Sequence, residues 1–211
     1  EEGDVLLTSD PYSCGAAISH ANDWLVVMPI FHEGTLVGWS SQFGHMSDVG
    51  GKTPASMPTD ARTIFEDGIV IPPIKIYKKG VLQDDSLLII LNQVRKPEWN
   101  RADLNGLVAA CRTAGRRVQE MCDRFGASTY NSALDALLER NYRAMKVLLS
   151  KVFKDGETIS FEDYIDDDGR GNGPYLLKLS LTRKGEKVIL DFSGSAPQAE
   201  GPINYFINEN L

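Results

Sequence analysis

The chain has 211 residues, 42% of them hydrophobic, and a formal net charge of −7. That is enough apolar material for one real core or two small ones. The scattered lysines and arginines argue against a nucleic-acid partner, which requires clustered positive charge. The longest apolar runs are short pieces such as LLIIL (87–91), far from the roughly 18 residues that suggest a membrane span.

In chain order, DVLLT (4–8) reads as a strand, followed by a loop carrying Pro11 and Gly15. WLVVMPIF (24–31) is a near-continuous apolar run of strand length, HEGT (32–35) is a turn, and LVGWSSQF (36–43) resumes as a strand. Together these make a β-hairpin with a loop of about four residues. After GHMSDVGG (44–51) and a proline-bearing loop, a further strand is expected over Ile69–Tyr77, confined to an edge or broken by Pro72 and Pro73.

Beyond Gly80 the pattern turns helical. DDSLLIILNQV (84–94) has acidic caps, and a long helix is expected to start at Asn100, with Asp103 in a capping-box-like position. Its apolar face runs through Leu104, Leu107, Val108, Cys111, Val118, Met121, Cys122 and Phe125, and Gly126 is its natural stop. A second helix follows from Ser132 to Val152, so an antiparallel helical hairpin is expected. TISFEDYI (158–165), YLLKLSLTR (175–183) and KVILDFSG (187–194) then alternate as an antiparallel meander, with a tight turn at Lys184–Gly185. The fold class is α+β. The expected divisions are a β-rich region over 1–80, a helical region over 81–153 and an antiparallel β region over 154–211.

Three cysteines, Cys14, Cys111 and Cys122, do not form a disulfide framework. Cys111 and Cys122 on one helix are about 16 Å apart along its axis, at about 1.5 Å per residue, whereas a disulfide needs Cα atoms within about 7 Å. Reduced thiols fit a cytoplasmic location. The abrupt ends, without an initiator methionine or a signal segment, suggest a piece of a longer subunit.

Chemistry concentrates in two His-x-x-Asp motifs, His20/Asp23 and His45/Asp48. One precedes the first hairpin strand and the other follows the second. The ends of a hairpin remote from its turn are neighbours, about 4.8 Å apart across the ladder, so four potential ligands converge. Imidazole plus carboxylate is a common ligand set for Zn, Mn or Fe. A single such motif more often caps a strand or pairs with an acid; two at one hairpin end point to a shared divalent ion. Gly44, Gly50 and Gly51 free the second loop for unusual conformations. His32 lies in the turn and receives no role, and Cys14 is assigned to packing. The Asp166–Gly173 run lacks the EF-hand pattern and reads as a solvated strand connection. No phosphate loop of the GxxxxGK[ST] type and no G-x-S-x-G elbow occurs. No catalytic residue is assigned.

GDVLLTSDPY (3–12), SHANDW (19–24), FGHMSDVGG (43–51), IILNQVR (89–95), DLNGLVAACRTAGRRVQEMCDRFG (103–126) and DFSGSAPQAEGPIN (191–204) occur in this order. The set resembles the hydantoinase B/oxoprolinase family across most of the chain. The resemblance implies a subunit of an ATP-dependent complex: a hydantoinase A-type partner binds ATP with Mg and phosphorylates the substrate, while the B-type chain holds a divalent metal, Zn or Mn. The family's ligand positions fall on His20, Asp23, His45 and Asp48, with Asp10 of the SDPY loop as a further ligand or a hydrogen-bonding neighbour. This sequence departs from the common pattern in SCGAAISHAND (13–23) and in Met46, where a second histidine often stands. Those departures lean toward a ketone carboxylase of the acetone or acetophenone type, carboxylating an enol phosphate. The alternatives are a cyclic amide hydrolase of the hydantoinase or 5-oxoprolinase type, and a non-catalytic scaffold.

Overall fold

A computed structural model describes residues 1–15 and 17–204. The chain divides into two compact units, Glu1–Tyr130 and Asn131–Asn204. The helices expected over 81–153 are therefore shared between them.

In the first unit, β1 (Val5–Thr8), β2 (Asp23–His32), β3 (Thr35–His45), β4 (Ile74–Lys78) and β5 (Val81–Leu82) form one antiparallel sheet in the order β3-β2-β1-β4-β5. Two helices complete the unit, α1 (Asp84–Leu91) and α2 (Pro97–Phe125). The β2–β3 hairpin is the longest ladder and closes more tightly than HEGT suggests. His32 pairs with Thr35, leaving only Glu33 and Gly34 in the turn, both at positive φ. That backbone twist matches the twist of the strands it joins. The strand expected from Ile69 begins only at Ile74, because Pro72 and Pro73 have no amide hydrogens to give a ladder.

The core lies between this sheet and its helices. Trp24 and Val26 of β2, Val5 and Leu7 of β1, and Ile76 of β4 pack with Leu87, Ile90 and Leu91 of α1 and with Leu104, Val108 and Cys111 of α2. These strand residues alternate and the helix residues recur at three- and four-residue spacing, the two periods that put side chains on one face. Trp24 is completely buried. Helix α2 starts at Pro97 rather than Asn100, since proline suits the first turn, where its missing amide costs nothing. Asn100 is thus inside the helix and buried, and its side-chain amide donates to Asp48 O at 2.8 Å instead of capping.

The second unit holds most of α3 (Ala127–Val152) and a sheet of β6 (Thr158–Ile165), β7 (Tyr175–Lys184) and β8 (Lys187–Asp191) in the order β6-β7-β8. This is the antiparallel meander expected from the alternation. The connection from β6 to β7 is more than a solvated loop. Asp168 is fully buried and accepts from Arg170 N (2.9 Å), Asn172 N (3.1 Å), Asn172 Nδ2 (2.9 Å) and the Tyr175 hydroxyl (3.1 Å). With the Asn172 side chain as the main influence, these donors hold its carboxyl at about 2. Among the described residues no helix is long and apolar enough to cross a membrane, and all three cysteines are free.

Candidate metal centre

Asp23 opens β2 and His45 closes β3, and the two are cross-strand partners in the last rung of the ladder. His20 is added by a turn in which Asp23 N donates to His20 O at 3.1 Å. Asp23 Oδ1 lies 3.2 Å from His20 Nε2 and 3.3 Å from His45 Nδ1. The two imidazole rings are tilted by 39° with centroids 4.9 Å apart. One ligating atom from each of the three residues falls within 4.8 Å of the others. The side chains are 35%, 14% and 47% exposed for His20, Asp23 and His45, so the cluster opens outward rather than into the core. Two imidazoles and a carboxylate at this separation, with an open side, suit a borderline divalent ion that retains exchangeable positions.

The fourth expected ligand is elsewhere. Three residues beyond the strand end, Asp48 turns inward and only 3% of its side chain is exposed. Its Oδ1 accepts from Gly50 N (2.9 Å) and Arg95 N (3.4 Å), and its Oδ2 from Ala55 N (2.9 Å). Arg95 Nη1 lies 3.1 Å from Oδ1 and 2.9 Å from Oδ2. Burial pushes the Asp48 carboxyl up, but the Gly50 amide and the Arg95 guanidinium outweigh it and hold it below the usual range. Asp48 therefore anchors the loop that leaves His45. Arg95 also donates to the carbonyls of Thr53 and Gly51. The two His-x-x-Asp motifs thus share a spacing, but only the first brings its aspartate into the cluster.

Asp10, too, is outside the cluster. Its carboxylate accepts from Tyr12 N at 2.9 Å, and the Ser13 hydroxyl holds it below the ordinary range against the effect of burial. His32 Nε2 meets Asp123 at 2.9 Å, a contact remote in sequence from either motif.

Spacing alone missed several residues. Asn22, between His20 and Asp23, is 1% exposed. Its side-chain amide donates to Met46 O (3.3 Å) and Ala55 O (3.1 Å), while Met46 N donates to Asn22 O (2.8 Å). It stitches together the segments that carry His20 and Asp23 on one side and His45 on the other. The segment 66–69 runs beside 49–52, with Lys52 N donating to Glu66 O and Ile69 N to Val49 O, both at 2.8 Å. This brings Asp67 within electrostatic reach of His20. Burial and then the neighbouring Glu66 charge raise the Asp67 carboxyl, while His20 opposes them. Gly50 is required here: φ is +82°, and a Cβ would run into Gln93 O.

An antiparallel sheet backed by helices, with two imidazoles and a carboxylate at the open end of its hairpin, defines a class of α+β proteins with a candidate metal centre. The particular family follows from comparison with known proteins. The sequence model for hydantoinase B/oxoprolinase matches residues 1–210, and the chain belongs to that family. It is 32% identical to caprolactamase subunit beta of Pseudomonas jessenii over 98% of this chain and 34% of that protein. It is 31% identical to 5-oxoprolinase of Dictyostelium discoideum over 97% of this chain and 16% of that protein. With the acetophenone carboxylase delta subunit of Aromatoleum aromaticum the identity is 29%, over 96% and 29% of the two chains. The crystal structure of ATP-dependent caprolactamase from Pseudomonas jessenii superposes with a TM-score of 0.85 at 30% identity, covering 95% of this chain and 34% of that one. The chain thus spans about a third or less of the length of these relatives.

Proposed function

We propose that this chain supplies the metal-holding part of an ATP-dependent enzyme that opens cyclic amides, with ATP and its Mg bound on a hydantoinase A-type partner subunit. The observation that carries the reading is the convergence of His20 Nε2, Asp23 Oδ1 and His45 Nδ1 at a solvent-open hairpin end. These three residues would hold the ion, with Zn or Mn best suited to an N/O ligand set. When bound, the ion supplies Lewis acidity, which polarises a substrate oxygen and acidifies water.

The chain's own residues do the rest. Asn22 fixes the distance between the two ligand segments, and the Asp48–Arg95 pair fixes the path of the second. Asp67, whose carboxyl is raised chiefly by burial, holds its proton to higher pH than an ordinary aspartate, with the His20 charge opposing that shift.

Cyclic amides are preferred over ketones for two reasons. The relatives of highest identity reported above are a caprolactamase and a 5-oxoprolinase. In addition, the Met46 substitution that leaned toward a carboxylase sits in the core at 1% exposure, where it answers to packing and not to substrate. Carboxylation of an enol phosphate is the second reading, supported by the acetophenone carboxylase delta subunit. The complete complex should be assayed for ATP turnover with lactams, 5-oxoproline, hydantoins and ketones, with and without labelled bicarbonate. Ring opening without bicarbonate supports the first reading; label incorporation into a ketone product supports the second. Activity undiminished after complete removal of metal would favour a scaffold role instead.

A further inference from the structure

Among the described residues of the first unit, the helices pack on one face of the first sheet. Trp24, Val26 and Leu7 point to α2 and α1 and are fully buried. Their neighbours point the other way by the period-2 alternation of strands. Register aligns these outward residues across the sheet: Asp23 with His45, Leu25 with Phe43 and Thr8, and Val27 with Leu6. Trp39, opposite Pro29, and Phe43 are each 60% exposed. This face carries exposed Trp39 and Phe43, with exposed Ser41 between them, and half-buried Leu6, Leu25 and Val27, while Thr8 is buried and the metal candidates Asp23 and His45 end the same rows. Strand β3 is also the edge of the sheet, an 11-residue strand with no partner on its outer side among the described residues.

Long apolar edges of this kind are normally covered, since they invite aggregation, and a contiguous apolar patch marks a packing surface. We infer that further polypeptide of the same subunit packs on this open face, burying Trp39 and Phe43 and walling one side of the His20/Asp23/His45 cluster. The length of a relative favours that occupant: caprolactamase subunit beta is about three times as long as the stretch matched here, and a subunit of that length has ample chain for a second layer. The packing claim stands without the ion; only its consequence for the site rests on the metal reading.

Hydroxyl-radical footprinting of the full-length subunit, purified without its partner, tests this directly, with Trp24 as the buried internal standard. Trp39 is expected to oxidise as slowly as Trp24, and far more slowly than in the denatured chain. The same protection should persist in a His20→Ala variant, which separates this claim from the metal reading. A Trp39→Asp substitution should lower the Tm of the full-length subunit. Rapid oxidation of Trp39 in the isolated subunit would overturn the inference. So would protection that arises only on adding the partner subunit, or only as the subunit's own concentration rises, since either result assigns the face to another occupant.

Discussion

Asp48 and Arg95 form an ion pair that fixes the loop behind His45: one guanidinium nitrogen, Nη1, spans both carboxylate oxygens at 3.1 and 2.9 Å. The pair crosses 47 residues of sequence and joins the ligand-bearing hairpin to the segment between α1 and α2. Its role is to hold a backbone path.

Arg95→Ala should therefore destabilise the first unit without removing a ligand. The Arg95 side chain is 43% exposed, and Asp48 keeps its backbone donors, so the loss is expected near about 1–3 kcal/mol rather than that of a fully buried pair. Chemical denaturation measures it. Metal stoichiometry at saturating ion should be unchanged, while affinity falls as the His45 segment loosens.

Gly50→Ala tests the same loop from its backbone. The substitution places a Cβ at φ +82° against Gln93 O. A cost of at least about 1–3 kcal/mol is expected from the backbone conformation alone, visible as a lower Tm.

Met46→Ala should cost about 2–5 kcal/mol, the range for removing a buried side chain of this size, because Met46 packs in the first core. Substrate preference should not change. A switch between amide and ketone substrates on altering Met46 would contradict its assignment to packing.

The second unit should show its own acid sensitivity. Asp168 has a folded value of about 2 against an ordinary 3.8, so the folded state binds its proton less readily than the unfolded state does. Its contribution is complete above about pH 4 and is lost as pH falls toward 2. Denaturation of wild type and Asp168→Asn across that range should show a stability gap that is largest near neutrality and narrows in acid.

Much of this was legible in the sequence, for identifiable reasons. The β2–β3 hairpin declared itself by two apolar runs around Glu33–Gly34, and once it is formed the Asp23–His45 rung follows from register. Local pattern could not separate Asp23 from Asp48, because both sit three residues after a histidine. What distinguishes them is Arg95, which only tertiary structure brings near. Asn22 was hidden for the same reason: its partners Met46 and Ala55 lie 24 and 33 residues away. The start of α2 was misplaced because Asn100 has the chemistry of a cap, yet Pro97 already begins the helix and the Asn100 amide is engaged with Asp48.

His20, Asp23 and His45 are proposed to hold one divalent ion, with Asp48 outside the ligand set. Metal content per subunit, measured by elemental analysis of the full-length protein after dialysis against excess ion, tests it most directly. About one ion per chain is expected in wild type and in Asp48→Asn, with loss of bound ion in His20→Ala, Asp23→Ala and His45→Ala. An ion retained in all three ligand variants, or lost in Asp48→Asn while that variant stays folded, would contradict the account.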